Sequence, residues 1–260
     1  MEIGIVQLKV AHGNPDRNIK MVMRNLESAL RMRCDVVVLP ELWNATYPVT
    51  DPRILIKENS PLIENIGNLA ERYKTWIIAG SMAITTKQGN RNRCYIYSPE
   101  GRKSFYDKIH LYPGHKEPNL FKAGSSLGLM SIAGVSCGVM ICFDMEFPEV
   151  SRALAEKQAL VLFVPGAWPK KHIRLWRTLL IARAIENQVF VVGVNRCDEG
   201  KGFSFGGQSM IIDPFGDVVI HLNEKPTIEK VTLDLSLVNR ARAKNLVVSS
   251  KRSAIYRKWK

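Results

Sequence analysis

Val139-Met140-Ile141-Cys142-Phe143-Asp144-Met145-Glu146-Phe147-Pro148-Glu149 runs from an apolar segment through a polar turn to a proline that can open a helix. The run Val139 to Cys142 reads as a short buried strand. Pro148 suits a first helical turn, where its missing N–H would have no partner in any case. A cysteine at the tip of such a strand can push its sulfur into a cleft while backbone N–H groups face the same space, the logic of a nucleophile elbow. Taken alone, a cysteine in an apolar run is more often a small core residue, so its role depends on what the rest of the chain brings to it.

On either side, strand-like and helix-like segments alternate. Residues 3–9 read as a strand. Residues 17–33 carry Ile19, Val22, Leu26, Ala29 and Leu30 at helical spacing and lead to a strand at 35–39. Pro61 opens a second helix with Leu62, Ile66, Leu69 and Ala70 on one face, followed by a strand at 76–80 and shorter ones around 94–97 and 103–107. After Cys142 come a helix at about 148–157, an apolar run at 159–164, a helix at about 172–187 and a strand at 189–194. The last third is mainly strands, at 208–212, 217–222 and 228–234. Such alternation predicts an α/β protein with helices outside a buried sheet.

At 260 residues and 46% apolar composition, the chain can bury a full core. No linker, low-complexity tract or internal repeat divides it. Residues 1–8 run straight into a strand pattern without the charged start and long apolar core of a secretory signal, and no apolar stretch reaches membrane-spanning length. The expectation is a cytoplasmic protein that does not enter a membrane. Cys34, Cys94, Cys137, Cys142 and Cys197 are scattered, odd in number and free of C-x-x-C spacing, so no disulfide framework is expected, and Cys137 reads as core. The net charge of +13 is concentrated at one end: residues 239–260 hold eight Lys/Arg and no acid, against 29 basic and 24 acidic residues elsewhere. A basic tail with Tyr256 and Trp259 interleaved could touch RNA. No nucleic-acid-binding fold accompanies it, and a solvated terminus, or one docked on a partner subunit, is the simpler reading. There is no Walker A sequence and no G-x-G-x-x-G, and Gly200-Lys201-Gly202 reads as a flexible loop. His110 and His115 lack further ligands at zinc spacing. No cofactor or metal is expected.

Two other segments are built to meet Cys142. Val36-Val37-Val38-Leu39-Pro40-Glu41-Leu42-Trp43 is again an apolar strand stopped at a proline, with a carboxylate just beyond, and partial desolvation would make Glu41 a competent proton acceptor. Lys108, in Tyr106-Asp107-Lys108-Ile109-His110-Leu111, lies among apolar and aromatic neighbours ahead of a Pro113-Gly114 turn. A lysine held near a reacting carbonyl could stabilise an oxyanion or favour a thiolate, and Glu117 is close enough in sequence to hold it.

Together these segments resemble the nitrilase (carbon–nitrogen hydrolase) superfamily. Val38-Leu39-Pro40-Glu41, Lys108-Ile109-His110-Leu111 and Gly138 to Asp144 with Phe147-Pro148-Glu149 match that family's motifs in its chain order. Ala182 to Gln188, Gly207-Gln208-Ser209 and Asp213-Pro214-Phe215-Gly216 match further. The resemblance implies a single domain over 1–260, an α-β-β-α sandwich in which two sheets pack face to face, with a basic tail at about 239–260. It implies an amidase working through a cysteine thioester: Cys142 as nucleophile, Glu41 as general base, Lys108 and the Phe143 backbone N–H at the oxyanion, and Glu117 in support. A homo-oligomer, dimer or larger, and a small-molecule amide substrate are implied as well.

Gly166-Ala167-Trp168-Pro169, Leu175-Trp176 and Val194-Asn195-Arg196 are similar to the omega-amidase branch, which deaminates small ω-amido acids such as α-ketoglutaramate. Trp168 would line the pocket, near the crowded Lys170, Lys171, His172 and Arg174. At Glu146 the chain departs from that branch, where many members carry arginine. The alternative readings are an N-carbamoyl amino acid or aliphatic amide hydrolase, or a nitrilase-fold binding protein without activity.

Overall fold

A computed structural model describes residues 1–45, 54–200 and 203–259. The chain first lays down β1 (Glu2–Gln7), α1 (Pro15–Leu30), β2 (Val36–Val38), β3 (Ile56–Lys57), α2 (Pro61–Tyr73), β4 (Trp76–Ile78), β5 (Met82–Thr86), β6 (Gly89–Tyr97) and β7 (Lys103–Asp107). It crosses through α3 (Glu117–Leu120) to β8 (Gly128–Ile132), β9 (Val135–Val139), α4 (Pro148–Glu156), β10 (Val161–Gly166), α5 (Ile173–Asn187) and β11 (Phe190–Asn195). A small hairpin, β12 (Glu199–Gly200) with β13 (Phe203–Ser204), precedes β14 (Met210–Ile212) and β15 (Val218–His221). Then β16 (Thr227–Thr232) returns to pair with β1, and α6 (Ser236–Lys244) and α7 (Ser253–Tyr256) follow.

Two sheets result. One has the order β16-β1-β2-β4-β6-β5-β3, with β7 on β6, and the other β15-β14-β11-β10-β9-β8. The first carries three adjacent parallel strands, β1, β2 and β4, and the second another three, β9, β10 and β11. Strands buried on both faces need no polar alternation, which explains runs such as Val36-Val37-Val38. Ile3, Ile5, Val36, Val38 and Ile78 face the second sheet and share a core with Val139, Val161 and Phe163. Val6, Val37 and Ile77 point the other way, onto Val22, Leu26 and Ala29 of α1 and Ile63, Ile66 and Ala70 of α2. On the far side α4 and α5 cover the second sheet. The α-β-β-α sandwich implied by the resemblance is therefore the observed architecture.

Local signals start the outer helices. Asn14 caps α1 by accepting from the Arg17 N–H, and Ser60 caps α2 ahead of Pro61 by accepting from the Leu62 N–H. Helix α5 seats closely on its sheet because Gly193 offers no side chain. A Cβ there would lie 2.7 Å from Trp176 and 2.8 Å from Leu180.

Three expectations change. Val139 to Cys142 is not one strand: β9 ends at Val139, and Cys142 begins a 3-10 turn that runs to Glu146. Met140 and Ile141 are buried beyond the strand's end, although the Met140 N–H still donates to the Phe163 carbonyl of β10. The basic tail begins as a docked element, since Val238 and Ala241 of α6 are buried and the Gln188 amide donates to the Ala241 and Asn245 carbonyls. Farther along, Lys251 pairs with Glu156 and Trp259 stands 75% exposed. Gly200 belongs to the β12–β13 hairpin rather than to a free loop, while Lys201 and Gly202 lie outside the described residues. No helix among the described residues is long and apolar enough to cross a membrane.

Gly193→Ala is expected to cost about 1–3 kcal/mol, because the methyl must displace the Trp176 indole or shift α5. A fall in the urea midpoint measures it, and an unchanged midpoint would show that α5 is not tightly seated.

Candidate active site

The carboxyl ends of the two sets of parallel strands meet at one rim of the sandwich. In open parallel sheets this rim is where ligands bind, because loops replace paired backbone there. Glu41 follows β2 and Cys142 follows β9 after two residues. Ala167 and Trp168 follow β10, Arg196 follows β11, and Lys108 follows β7. The sheets are stitched at this point: the Glu41 N–H and the Arg196 N–H both donate to the Gly166 carbonyl.

Two tips take left-handed backbone without glycine, Leu42 at φ 43° and Cys142 at φ 46°. That conformation costs free energy for a side chain bearing a Cβ, so the surroundings must hold it in place. Asp144 does so for Cys142. Fully buried, it accepts from the Ile141 N–H (2.9 Å), the Tyr106 hydroxyl (2.8 Å) and the His110 N–H (2.8 Å), and its Oδ1 lies 2.9 Å from His110 Nδ1. The His110 ring stacks on Phe147. The turn that carries the cysteine and the loop that carries the lysine are thus one hydrogen-bonded unit. Arg196 supports the Leu42 tip: it pairs with Asp198 and donates to the Leu42 and Ala45 carbonyls.

Lys108 is the centre of the site and almost wholly buried. Its Nζ donates to Glu41 Oε1 at 2.7 Å and to Glu117 Oε2 and Oε1 at 2.9 and 3.2 Å. Burial alone would favour the neutral amine, but Glu117 and Glu41 outweigh it and hold the lysine pKa above its ordinary value. Burial raises the Glu117 pKa against the pull of Lys108, and the Tyr112 N–H donates to the same carboxylate at 2.8 Å. Asn92 completes the cluster, donating from Nδ2 to Glu41 Oε1 (2.9 Å) and Glu117 Oε1 (3.4 Å), while its backbone carbonyl accepts from the Lys108 backbone N–H.

The two oxygens of Glu41 are therefore unlike. Oε1 is occupied by Lys108 and Asn92, whereas Oε2 is buried and has no hydrogen-bond partner among the described residues. Cys142 lies beside this carboxylate, with the Ala167 N–H also reaching its sulfur. Burial, then Glu41, push the thiol pKa well above its ordinary value, and Lys108 and Ala167 only partly offset them. The sulfur thus rests as a thiol with a carboxylate oxygen beside it able to take its proton. Phe143 is the second residue of the turn, where a backbone N–H has no partner within the turn.

These groups open on a cavity of about 240 Å³, with Trp168, Tyr112 and His115 on its walls and Glu146, His172 and Leu175 at its mouth. Burial lowers the His115 pKa to about 4, which keeps its imidazole neutral at physiological pH. Every residue singled out from sequence, Glu41, Lys108, Glu117, Cys142, Phe143 and Trp168, lines this one cavity. Of the crowded cations after it, His172 reaches the cavity and Lys170 pairs outside with Glu224. Asn92 and the anchoring duties of Asp144 and Arg196 escaped notice. Asp144 and Arg196 lay within quoted motifs, but only the fold shows what they hold. Among the described residues, no group of three or more His, Cys, Asp and Glu side chains is placed to hold a metal ion.

A sequence model of the carbon–nitrogen hydrolase family matches residues 2–243, and the chain belongs to that family. A 2-oxoglutaramate amidase of Bacillus subtilis is 34% identical over 235 residues, 90% of each chain. An omega-amidase of Escherichia coli is 31% identical over 84% of each chain. The solved structure of a CN-hydrolase superfamily protein from Xanthomonas campestris, which has an arsenic adduct in its active site, is 26% identical. It aligns with a TM-score of 0.88 over 96% of this chain and 97% of that one.

The other four cysteines are buried away from the lining of this cavity, and burial pushes Cys34 up to about 11 and Cys137 and Cys197 up to about 12. Iodoacetamide should therefore modify Cys142 in the native protein at least about tenfold faster than any other cysteine. Peptide mapping after brief exposure checks this, and equal labelling of a second cysteine would contradict it.

Proposed function

We propose that this carbon–nitrogen hydrolase is an omega-amidase, releasing ammonia from the side-chain amide of small ω-amido acids such as 2-oxoglutaramate. One observation carries the chemistry: a buried lysine clamps two carboxylates beside a thiol and leaves a single carboxylate oxygen unoccupied. Glu41 Oε2 takes the Cys142 proton as sulfur attacks the amide carbonyl. A free thiol, with a pKa of about 8.5, attacks slowly at neutral pH, and deeper burial makes the adjacent base more necessary still. Lys108 and the Phe143 N–H receive the charge that develops on oxygen.

The C–N bond then breaks. The nitrogen takes the proton back from Glu41, ammonia departs and a Cys142 thioester remains. Water, deprotonated by Glu41, attacks that thioester, and the carboxylic acid leaves as the thiol re-forms. Glu117 and Asn92 touch no reacting atom in this scheme. They hold Lys108 and Glu41 Oε1 in place, so that the ammonium cannot turn towards Oε2.

The substrate assignment draws on the two amidase relatives, on a cavity sized for a few heavy atoms beyond the amide, and on Trp168 as its wall. The same reading takes residues 1–260 as one hydrolase domain that works in the cytoplasm as a homo-oligomer. Exposed Ile185, Phe215, Val218 and Val219 support a second copy covering that side.

Ammonia release from 2-oxoglutaramate, succinamate, an aliphatic amide and an N-carbamoyl amino acid tests the reading. The ω-amido acids should lead, and preference for either of the others would replace the substrate while keeping the chemistry. Cys142→Ala should be inactive yet fully folded. Lys108→Ala should lose roughly a hundredfold or more in kcat, and about 3–5 kcal/mol of stability as well, because it strands two buried carboxylates. Near-normal turnover by Cys142→Ala would overturn the mechanism.

A further inference from the structure

The Ala167 N–H that reaches the Cys142 sulfur belongs to a peptide unit whose aim is fixed from behind. The carbonyl of that unit, on Gly166, accepts from the Glu41 and Arg196 N–H groups at 3.3 and 3.2 Å. A trans peptide directs its carbonyl and its N–H to opposite sides. The two donors that hold the Gly166 oxygen therefore turn the Ala167 N–H the other way, onto the sulfur. Strand β10 ends at Gly166, opposite Asn195, the last residue of β11. Beyond that point the Asn195 side chain takes the place of a paired strand. Its Oδ1 accepts from the Trp168 N–H at 2.7 Å and the Arg196 N–H at 2.9 Å. Its Nδ2 donates to the Trp168 carbonyl at 3.3 Å and the Gly207 carbonyl at 2.8 Å. Two N–H groups meet the oxygen and two carbonyls meet the nitrogen, so a flipped amide would set like groups against each other. Asn195 is itself fully buried, and its backbone N–H donates to Ser209 Oγ, which donates in turn to Gln7 of β1.

Ala167 thus stands between two clamped neighbours, Gly166 held through its carbonyl and Trp168 held at both ends of its backbone by one amide. In the thioester route the sulfur bears negative charge twice, when Glu41 takes its proton and when it leaves the acyl group. We propose that the Ala167 N–H stabilises the Cys142 sulfur in both steps, and that Asn195 is the positioning residue that aims it. Asn195 touches no reacting atom and works through the backbone from Gly166 to Trp168. This rests on the thioester reading and is indifferent to which amide the protein prefers.

Asn195→Ala releases the Trp168 backbone and separates positioning from mere support. Its kcat on 2-oxoglutaramate should fall about tenfold or more, the range of a hydrogen bond to a charged group, with KM changed by less than about threefold. Iodoacetamide should alkylate Cys142 more slowly at neutral pH by a similar factor, and that reading needs no substrate. A purely structural role would lower the urea midpoint and leave both rates of the folded protein where they are. If Asn195→Ala does not fold, Asn195→Ser, too short to span both ends of the Trp168 backbone, carries the same measurements. Replacing Ala167 by its hydroxy-acid counterpart, L-lactate, through nonsense suppression exchanges that one N–H for an ester oxygen and should reproduce both losses. Wild-type kcat and alkylation in the lactate protein would overturn the contact with sulfur. An unchanged kcat in the Asn195 variant, whether or not KM rises, would overturn the positioning role. The thioester mechanism stands in either case, whereas turnover by Cys142→Ala would remove the mechanism itself.

Discussion

One buried ammonium holds this site together. Taking charges out of water costs several kcal/mol for each ion even after relaxation, and only close, well-formed hydrogen bonds offset it. Lys108 meets that demand with three contacts of 2.7–3.2 Å to two carboxylates. The three charged groups come from the end of β2, the end of β7 and the start of α3, so the cluster forms only when the first sheet is assembled and the segment that leaves it packs back on its rim. The surrounding anchors serve the same end. Asp144 ties the cysteine turn to the lysine loop, Arg196 holds the tip beyond Glu41, and the Gly166 carbonyl accepts from both sheets.

The same constraint shapes the chemistry. A surface thiol would ionise readily and react with many electrophiles. Here burial favours the protonated Cys142 thiol, so in the proposed mechanism its nucleophilicity depends on a carboxylate oxygen that is itself kept unoccupied. Occupying Oε1 with Lys108 and Asn92 while leaving Oε2 open separates two tasks on one side chain: one oxygen positions the lysine, and the other is available to move a proton. The backbone strain at Cys142 fits this picture, because a left-handed tip presents sulfur and the following N–H groups to the same space.

Much of this was legible in the residues, and the physical reasons differ from element to element. Parallel strands buried on both faces leave unbroken apolar runs, so β2, β4, β10 and β11 stood out, as did the amphipathic α1 and α2. The two-sheet architecture did not follow from periodicity, since a strand buried against helices and one buried against a second sheet look alike. It came from the family motifs, as did the Glu41–Lys108–Cys142 grouping. Asn92 was invisible because an asparagine in a strand reads as a solvent-facing residue. Here it is buried because it has two carboxylates to bond. The strand expected at 139–142 ends three residues early, since burial and strand pairing write the same apolar signature. The basic tail hid a docked helix because Val238 and Ala241 are too few to stand out among Arg240, Arg242 and Lys244.

The central claim is that Cys142 forms a thioester, served by a base that Lys108 and Asn92 hold in place. Rapid-quench intact-mass spectrometry during turnover of an ω-amide tests it most directly. A transient adduct equal to the substrate minus ammonia should appear on the peptide containing Cys142, and hydroxylamine should remove it. Steady ammonia release with no adduct on that peptide at any quench time, and the same rate in Cys142→Ala, would contradict it.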